Sequence, residues 1–182
     1  MEEDNMGFEK LCKNLIDIIK EEQAKLGFRR ESIRLYYPLS SLNHFFEAND
    51  DNEQMKQRLS KMPDFITEKL GDIKVTNKNE RFCFHIPEEG SSYVHENTKP
   101  NEFIKELVEL VGEHGCKMED IIALFKQYDQ DATIEEIRNG EFDYLIRFSE
   151  ETEDPYYYCF HDEGCHIIYH RFLSEDYKDF GF

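Results

Sequence analysis

The stretch from Phe142 to Phe172, FDYLIRFSEETEDPYYYCFHDEGCHIIYHRF, constrains this chain most, because three strand signals and two turns follow one another there with no room for a helix between them. Phe142, Tyr144, Ile146 and Phe148 alternate with Asp143, Leu145 and Arg147, a period of two that predicts a strand with one buried face. The acidic connection that follows ends at Pro155, which has no N–H to give to a ladder and so belongs at a strand edge. Tyr156 opens the second strand. In His161-Asp162-Glu163-Gly164-Cys165 the glycine suits the positive φ of a bulged three-residue turn, which sets His161 opposite Cys165, Phe160 opposite His166, Cys159 opposite Ile167 and Tyr158 opposite Ile168. Both faces of that hairpin are mixed in polarity, so periodicity leaves open which one meets the core.

This register gathers Cys159, His161 and Cys165 on one face near the hairpin tip, with directly opposed Cβ atoms about 4.5–5.5 Å apart. Two thiolates and an imidazole would suit zinc. Against that, the spacing is no recognised zinc knuckle, a fourth ligand is missing, and cysteine is often a plain small core residue. The expectation is packing, with no metal and no other cofactor, and with Cys159, His161 and Cys165 as the metal candidates.

At 182 residues, with 15 Phe, 10 Tyr and 39% hydrophobic content, the chain has the apolar surface for one domain with a substantial core. The start, MEEDNMGFEK, lacks a basic region followed by an apolar run, and no window approaches the roughly 18 apolar residues of a membrane span. Neither export nor membrane insertion is expected. The five scattered cysteines fit reduced thiols in a cytoplasm.

The formal net charge of −18 is unevenly spread: residues 1–100 hold 19 acids and 15 bases, residues 101–182 hold 21 acids and 7 bases, or −4 and −14. Such a field repels phosphate backbones and anionic lipid heads, which argues against nucleic-acid and membrane partners. Two uses remain for it: solubility, or an acidic surface matched to a basic protein.

From the N-terminus, Phe8, Leu11, Leu15, Ile18, Ile19 and Leu26 recur at helical spacing, and Gly27 supplies a left-handed cap. Ile33, Leu35 and Tyr37 then alternate as a short strand, and Ser40 or Ser41 is placed to cap a helix carrying Leu42, Phe45 and Phe46. Polar groups suited to an anionic ligand crowd this segment: Arg34, Tyr36, Tyr37, Ser40, Ser41, Asn43 and His44. A capped helix entry with tyrosines packed at its base is the simpler account, since Ser and Asn at a helix start need no ligand to explain them. The run EEQAKLGFRRESIRLYYPLSSLNHFF, about a seventh of the chain, resembles a bacterial domain family of unknown function. That resemblance implies no activity, cofactor or catalytic residue.

A helical pattern from Asp50 to Leu70 must split or kink at Pro63. Ile73 and Val75, then Phe82, Phe84 and Ile86, predict a hairpin around Asn77-Lys78-Asn79-Glu80. PEEGSSYVHENTKP, residues 87–100, shows no period beyond a possible short strand at Tyr93 and Val94 and is expected to be a loop. Two amphipathic helices follow, over Phe103–Val111 and Met118–Tyr128. Asp129 to Gly140 invites comparison with a calcium loop, but Ile134 stands where the turn needs Gly and Gly140 where a bidentate Glu is needed. Thr133 with Glu136 instead reads as a capping box opening a short helix, and Ser174 as the cap of a last helix to Phe180.

The chain contains no GxSxG, no GxxxxGK[ST], no HExxH and no CxxC. The expected architecture is a single α+β domain over residues 1–182: an antiparallel sheet, made of one hairpin and a C-terminal three-strand meander, packed against several helices. The expected function is an acidic, non-enzymatic binding protein of the cytoplasm that takes a basic protein partner, as immunity proteins and inhibitors do. The alternative is a small enzyme or anionic-ligand-binding protein with a pocket around Arg34, Tyr36, Tyr37 and His44, where Arg would clamp the anion and Tyr or His would move a proton.

Overall fold

Pro63 does split its helical segment, and the two pieces show how local chemistry sets boundaries in this chain. One helix, Asn52–Leu59, opens at Asp51, whose carboxylate accepts the N–H groups of Glu53 and Gln54 while the Gln54 side chain accepts that of Asp51. The next, Asp64–Leu70, begins directly after Pro63, where the missing N–H costs nothing. The computed structural model describes residues 2–179. These residues form an α+β fold with two antiparallel sheets, and the chain divides into two compact units, 1–101 and 102–182.

The first unit comprises α1 (Glu2–Leu26), β1 (Ile33–Pro38), α2 (Leu39–Phe46), α3 (Asn52–Leu59), α4 (Asp64–Leu70), β2 (Lys74–Lys78), β3 (Arg81–Ile86) and α5 (Glu88–Asn97). Its three strands lie in the order β1-β3-β2. The inward positions Leu35, Tyr37, Phe82, Phe84 and Ile86 are buried with Leu11, Leu15 and Ile19 of α1 and Leu42 and Phe45 of α2.

The second unit comprises α6 (Glu102–Gly112), α7 (Met118–Tyr128), β4 (Thr133–Glu136), β5 (Tyr144–Arg147), β6 (Tyr156–Asp162), β7 (Ile167–Leu173) and α8 (Ser174–Asp179), with strand order β4-β5-β6-β7. On one face of that sheet the rings of Phe103, Phe125, Phe148 and Tyr158 pack edge to face or tilted at 4.7–5.9 Å between centroids. On the other, Leu145 and Cys159 are buried with Phe142 and Tyr177, and with Phe172 packed against them. No helix among the described residues is long and apolar enough to cross a membrane.

Several expectations are corrected. Hairpin and meander belong to two sheets rather than one, and each gains a strand. Thr133–Glu136 is that extra strand of the meander, paired with Arg147–Tyr144, because ladder hydrogen bonds to the open edge of β5 outweigh a local capping signal. Residues 88–97 are helix α5 rather than loop: Pro87 stands at its N-cap, Glu88 and Glu89 favour its first turn, and buried Gly90, Ser91 and Val94 form its inner face. Pro38, not Ser40 or Ser41, stands at the N-cap of α2. β5 is buried on both faces, at Leu145 and Ile146, where one was expected. The terminal helix ends its described course at Asp179, and Phe180 lies outside the described residues.

The β6–β7 register differs by three residues from the expected one. Asp162 faces Ile167, Phe160 faces Tyr169 and Cys159 faces His170. The Asp162 carboxylate accepts the Gly164 N–H at 2.7 Å and the Glu163 N–H bonds the His166 carbonyl at 3.1 Å, so the chain reverses across Gly164-Cys165. An odd slip exchanges the faces of one strand relative to the other.

Candidate functional site

Alternation along β1 sorts the segment that carried most of the candidates. Arg34 and Tyr36 point outward and are exposed, while Leu35 and Tyr37 point into the core. Tyr37 donates its hydroxyl to Asn14 Oδ1 at 2.6 Å and meets the Phe84 ring edge to face at 5.3 Å. It is a structural residue. Tyr37→Phe should therefore lower stability by about 1–2 kcal/mol through loss of that buried hydrogen bond, with the urea slope unchanged; an unaltered midpoint would show that the bond carries no net stability.

The other candidates disperse. Ser40 is exposed and Ser41 buried at the start of α2. Asn43 braces the α2–α3 connection, its amide donating to the Asp50 carbonyl at 3.0 Å and its oxygen accepting the Asp50 N–H at 2.9 Å. His44 is half-buried in the last turn of α2. The seven do not line one pocket, since Arg34 and Tyr37 lie on opposite sides of a sheet. A cleft of about 490 Å³ does open elsewhere in this unit, beside Phe8, Gln54 and Arg58. Its arginine is already engaged, by Asp50 at 2.7 and 3.2 Å and over the Phe46 ring at 5.2 Å.

What the structure brings together instead is the whole outer face of the three-stranded sheet. The pairing sets Arg34, His85 and Lys74 in one row across the strands, Tyr36, Cys83 and Thr76 in the next, and Pro38, Arg81 and Lys78 in the third. The Arg81 guanidinium lies 5.6 Å from the centre of the Tyr36 ring, and Thr76 Oγ1 is 3.2 Å from His85 Nε2. Tyr36 is 56% exposed. The β2–β3 turn that sets this register is held by Asn79 at φ 57 and by the Asn77 amide, which donates to the Asn79 carbonyl at 2.7 Å. The two-residue alternation of Lys74, Thr76, Lys78 and of Arg81, Cys83, His85 was visible in the sequence; that β1 joins the same sheet was not.

The shifted register takes Cys165 out of the ladder and away from Cys159 and His161, which remain on β6. Cys159 is fully buried with its thiol pushed up to about 12 by desolvation, which keeps it protonated and a poor ligand. Cys165 sits on the exposed turn, its sulfur 3.1 Å from His166 Nδ1. His161 Nδ1 lies 3.0 Å from Asp143 Oδ2 but out of line for a hydrogen bond, while that same carboxylate oxygen accepts the Asp162 N–H at 2.9 Å. Among the described residues no group of three or more His, Cys, Asp or Glu side chains is placed to hold a metal ion. In the segment that failed the calcium pattern, Asp129 accepts the N–H groups of Ser149 at 2.7 Å and Asp131 at 2.9 Å. Those bonds, the one from Ser149 first, hold its carboxyl below the ordinary range.

A family model described as a domain of unknown function from the bacterium E. rectale (DUF3877) matches residues 8–181. No curated protein and no solved structure matches the chain.

Proposed function

We propose, for a chain that belongs to the DUF3877 family, that it is a non-enzymatic binding protein whose acidic second unit docks a basic protein partner. Support comes from one observation above all: 21 acids stand against 7 bases in residues 102–182, and they fall on projecting elements. Glu102, Glu106, Glu109 and Glu113 recur along α6 and just beyond it at helical spacing, away from buried Phe103, Ile104 and Leu107. Glu135 and Glu136 are exposed on edge strand β4, and Glu150, Glu151 and Glu153 on and beside the 3-10 turn Glu150–Thr152.

Local cations offset little of this. Arg147 reaches Glu135 at 3.2 Å and Arg138 reaches Glu136 at 2.9 Å, both as solvent-exposed pairs of small energetic weight. Exposed carboxylates in such excess steer a basic surface toward them and set its orientation more than its intrinsic affinity. The partner is therefore expected to bind with a strong salt dependence. The test is a pull-down from native lysate at low salt, followed by calorimetry on the recovered protein. A basic partner should lose affinity about tenfold or more as ionic strength rises from about 0.1 M to 1 M and the screening length falls from about 10 Å to about 3 Å. An affinity that ignores salt, or recovery of no basic protein at all, overturns this assignment.

A further inference from the structure

The outer face of the β1-β3-β2 sheet has the opposite character from the rest of the molecule. Four cations, Arg34, Lys74, Lys78 and Arg81, stand on it with His85, and none of its nine positions carries a carboxylate. Among the described residues no ion pair engages any of these four cations. Solubility gives no reason for this, because a chain of net −18 already has its charge. Acids border the patch rather than enter it: Asp72 precedes β2 and Glu80 occupies the β2–β3 turn, both exposed.

We infer that this face is a docking site for an extended acidic peptide segment of a partner protein. Successive outward residues on a strand are about 6.6–6.8 Å apart, so the Arg34-His85-Lys74 row and the Arg81-Lys78 row lie about 13 Å from each other. Carboxylates four residues apart in an extended peptide are separated by the same about 13 Å. The residue midway between them falls on the Tyr36-Cys83-Thr76 row, where the exposed flank of the Tyr36 ring takes an apolar side chain and Arg81, held over that ring, faces the second carboxylate. A long nucleic-acid strand fits the cations but has to run on past them into the field of a strongly anionic protein, whereas a short acidic segment ends where the patch ends. This site lies in residues 33–86 and stands independently of the acidic unit's partner.

The probe is a capped, fluorescein-labelled peptide with the core Glu-Thr-Phe-Thr-Glu, titrated by anisotropy at low salt. It should bind, and a scrambled version with adjacent glutamates should bind more weakly. Lys74→Glu with Arg81→Glu should cost about tenfold or more in affinity, while Lys99→Glu, exposed but off the sheet, should leave it within about twofold; Tyr36→Ala provides a check that changes no charge. Circular dichroism reports whether each variant is folded. No binding, or equal loss in Lys99→Glu, overturns the site. Tighter binding of a single-stranded oligonucleotide than of the peptide overturns it in favour of nucleic acid. Salt-sensitive self-association in sedimentation, abolished by the Lys74 and Arg81 changes, overturns it in favour of a second copy of the chain.

Discussion

Phe125→Ala should destabilise the second unit by about 3–5 kcal/mol, the range for removing a large aromatic side chain from a packed core. The ring is fully buried on α7 and meets Phe103 at 4.7 Å, Phe148 at 5.0 Å, Tyr158 at 5.1 Å and Phe160 at 6.0 Å. Its neighbours are themselves rings fixed on a helix and a sheet, so they collapse poorly into the space left behind and the cavity cost adds to the lost transfer energy. Against a typical total of about 5–15 kcal/mol for a domain, that is enough to unfold much of the population near body temperature. Urea unfolding followed by far-ultraviolet circular dichroism reads the change, with Gln127→Ala on the solvent side of the same helix expected to stay within about 0.5 kcal/mol. Equal midpoints for the two variants would mean that the ring cluster is not the core.

Gly90→Ala should also destabilise, by about 1–3 kcal/mol, although Gly to Ala within a helix ordinarily stabilises by close to 1 kcal/mol. Gly90 sits in the first turn of α5 and is buried. A Cβ there would overlap the Leu70 carbonyl oxygen at the end of α4 and stand 2.7 Å from Ile86 Cγ2 and 3.0 Å from the Leu70 carbonyl carbon. Two of those three atoms are backbone, so the helix itself has to move away. At the end of α6, by contrast, a Cβ on Gly112 meets nothing within 4 Å, and Gly112→Ala should be neutral or stabilising by up to about 1 kcal/mol. Thermal melts should show a lower midpoint for Gly90→Ala and an unchanged or higher one for Gly112→Ala. A rise in midpoint for Gly90→Ala would show that α4 and α5 do not approach as closely as described.

Those two positions mark the limit of what the sequence discloses. α6 and α7 were legible because Phe103, Leu107, Ile121 and Phe125 repeat at helical spacing, and Pro63 announced the break between α3 and α4. α5 was not, because GSSYVHEN is poor in strong helix formers and its first turn is held by the seating of Gly90 against another helix, a relation that one segment's text does not contain. Thr133-Ile134-Glu135-Glu136 reads as a helix start in isolation and becomes a strand because β5 offers it a partner. The β6–β7 turn misled for a subtler reason: Gly164 takes the positive φ expected of it, at 83°, but the Asp162 side chain and the Glu163–His166 bond centre the reversal on Gly164-Cys165, past the Asp162-Glu163-Gly164 turn that a bulge requires, and the register slips by three. Of the candidate site, the alternation of Arg34 and Tyr36 along β1 and of Lys74, Lys78, Arg81 and His85 along the hairpin was legible; that the two sets share one face needed the pairing of β1 with β3.

That pairing has its own cost in chain entropy. β2 and β3 join through two residues, whereas β1 reaches β3 only after the 42 residues between Pro38 and Arg81 have been laid down elsewhere. Closing a loop of about that length costs on the order of 3 kcal/mol by the logarithmic scaling of loop entropy, a penalty the hairpin escapes. The two halves of the outer sheet face thus differ in permanence. Lys74, Thr76, Lys78, Arg81, Cys83 and His85 are carried by a local unit, while Arg34 and Tyr36 ride on an edge strand whose place is held by long-range contacts. Fraying of that edge would take away the tyrosine and one arginine together and leave the remaining cations in register.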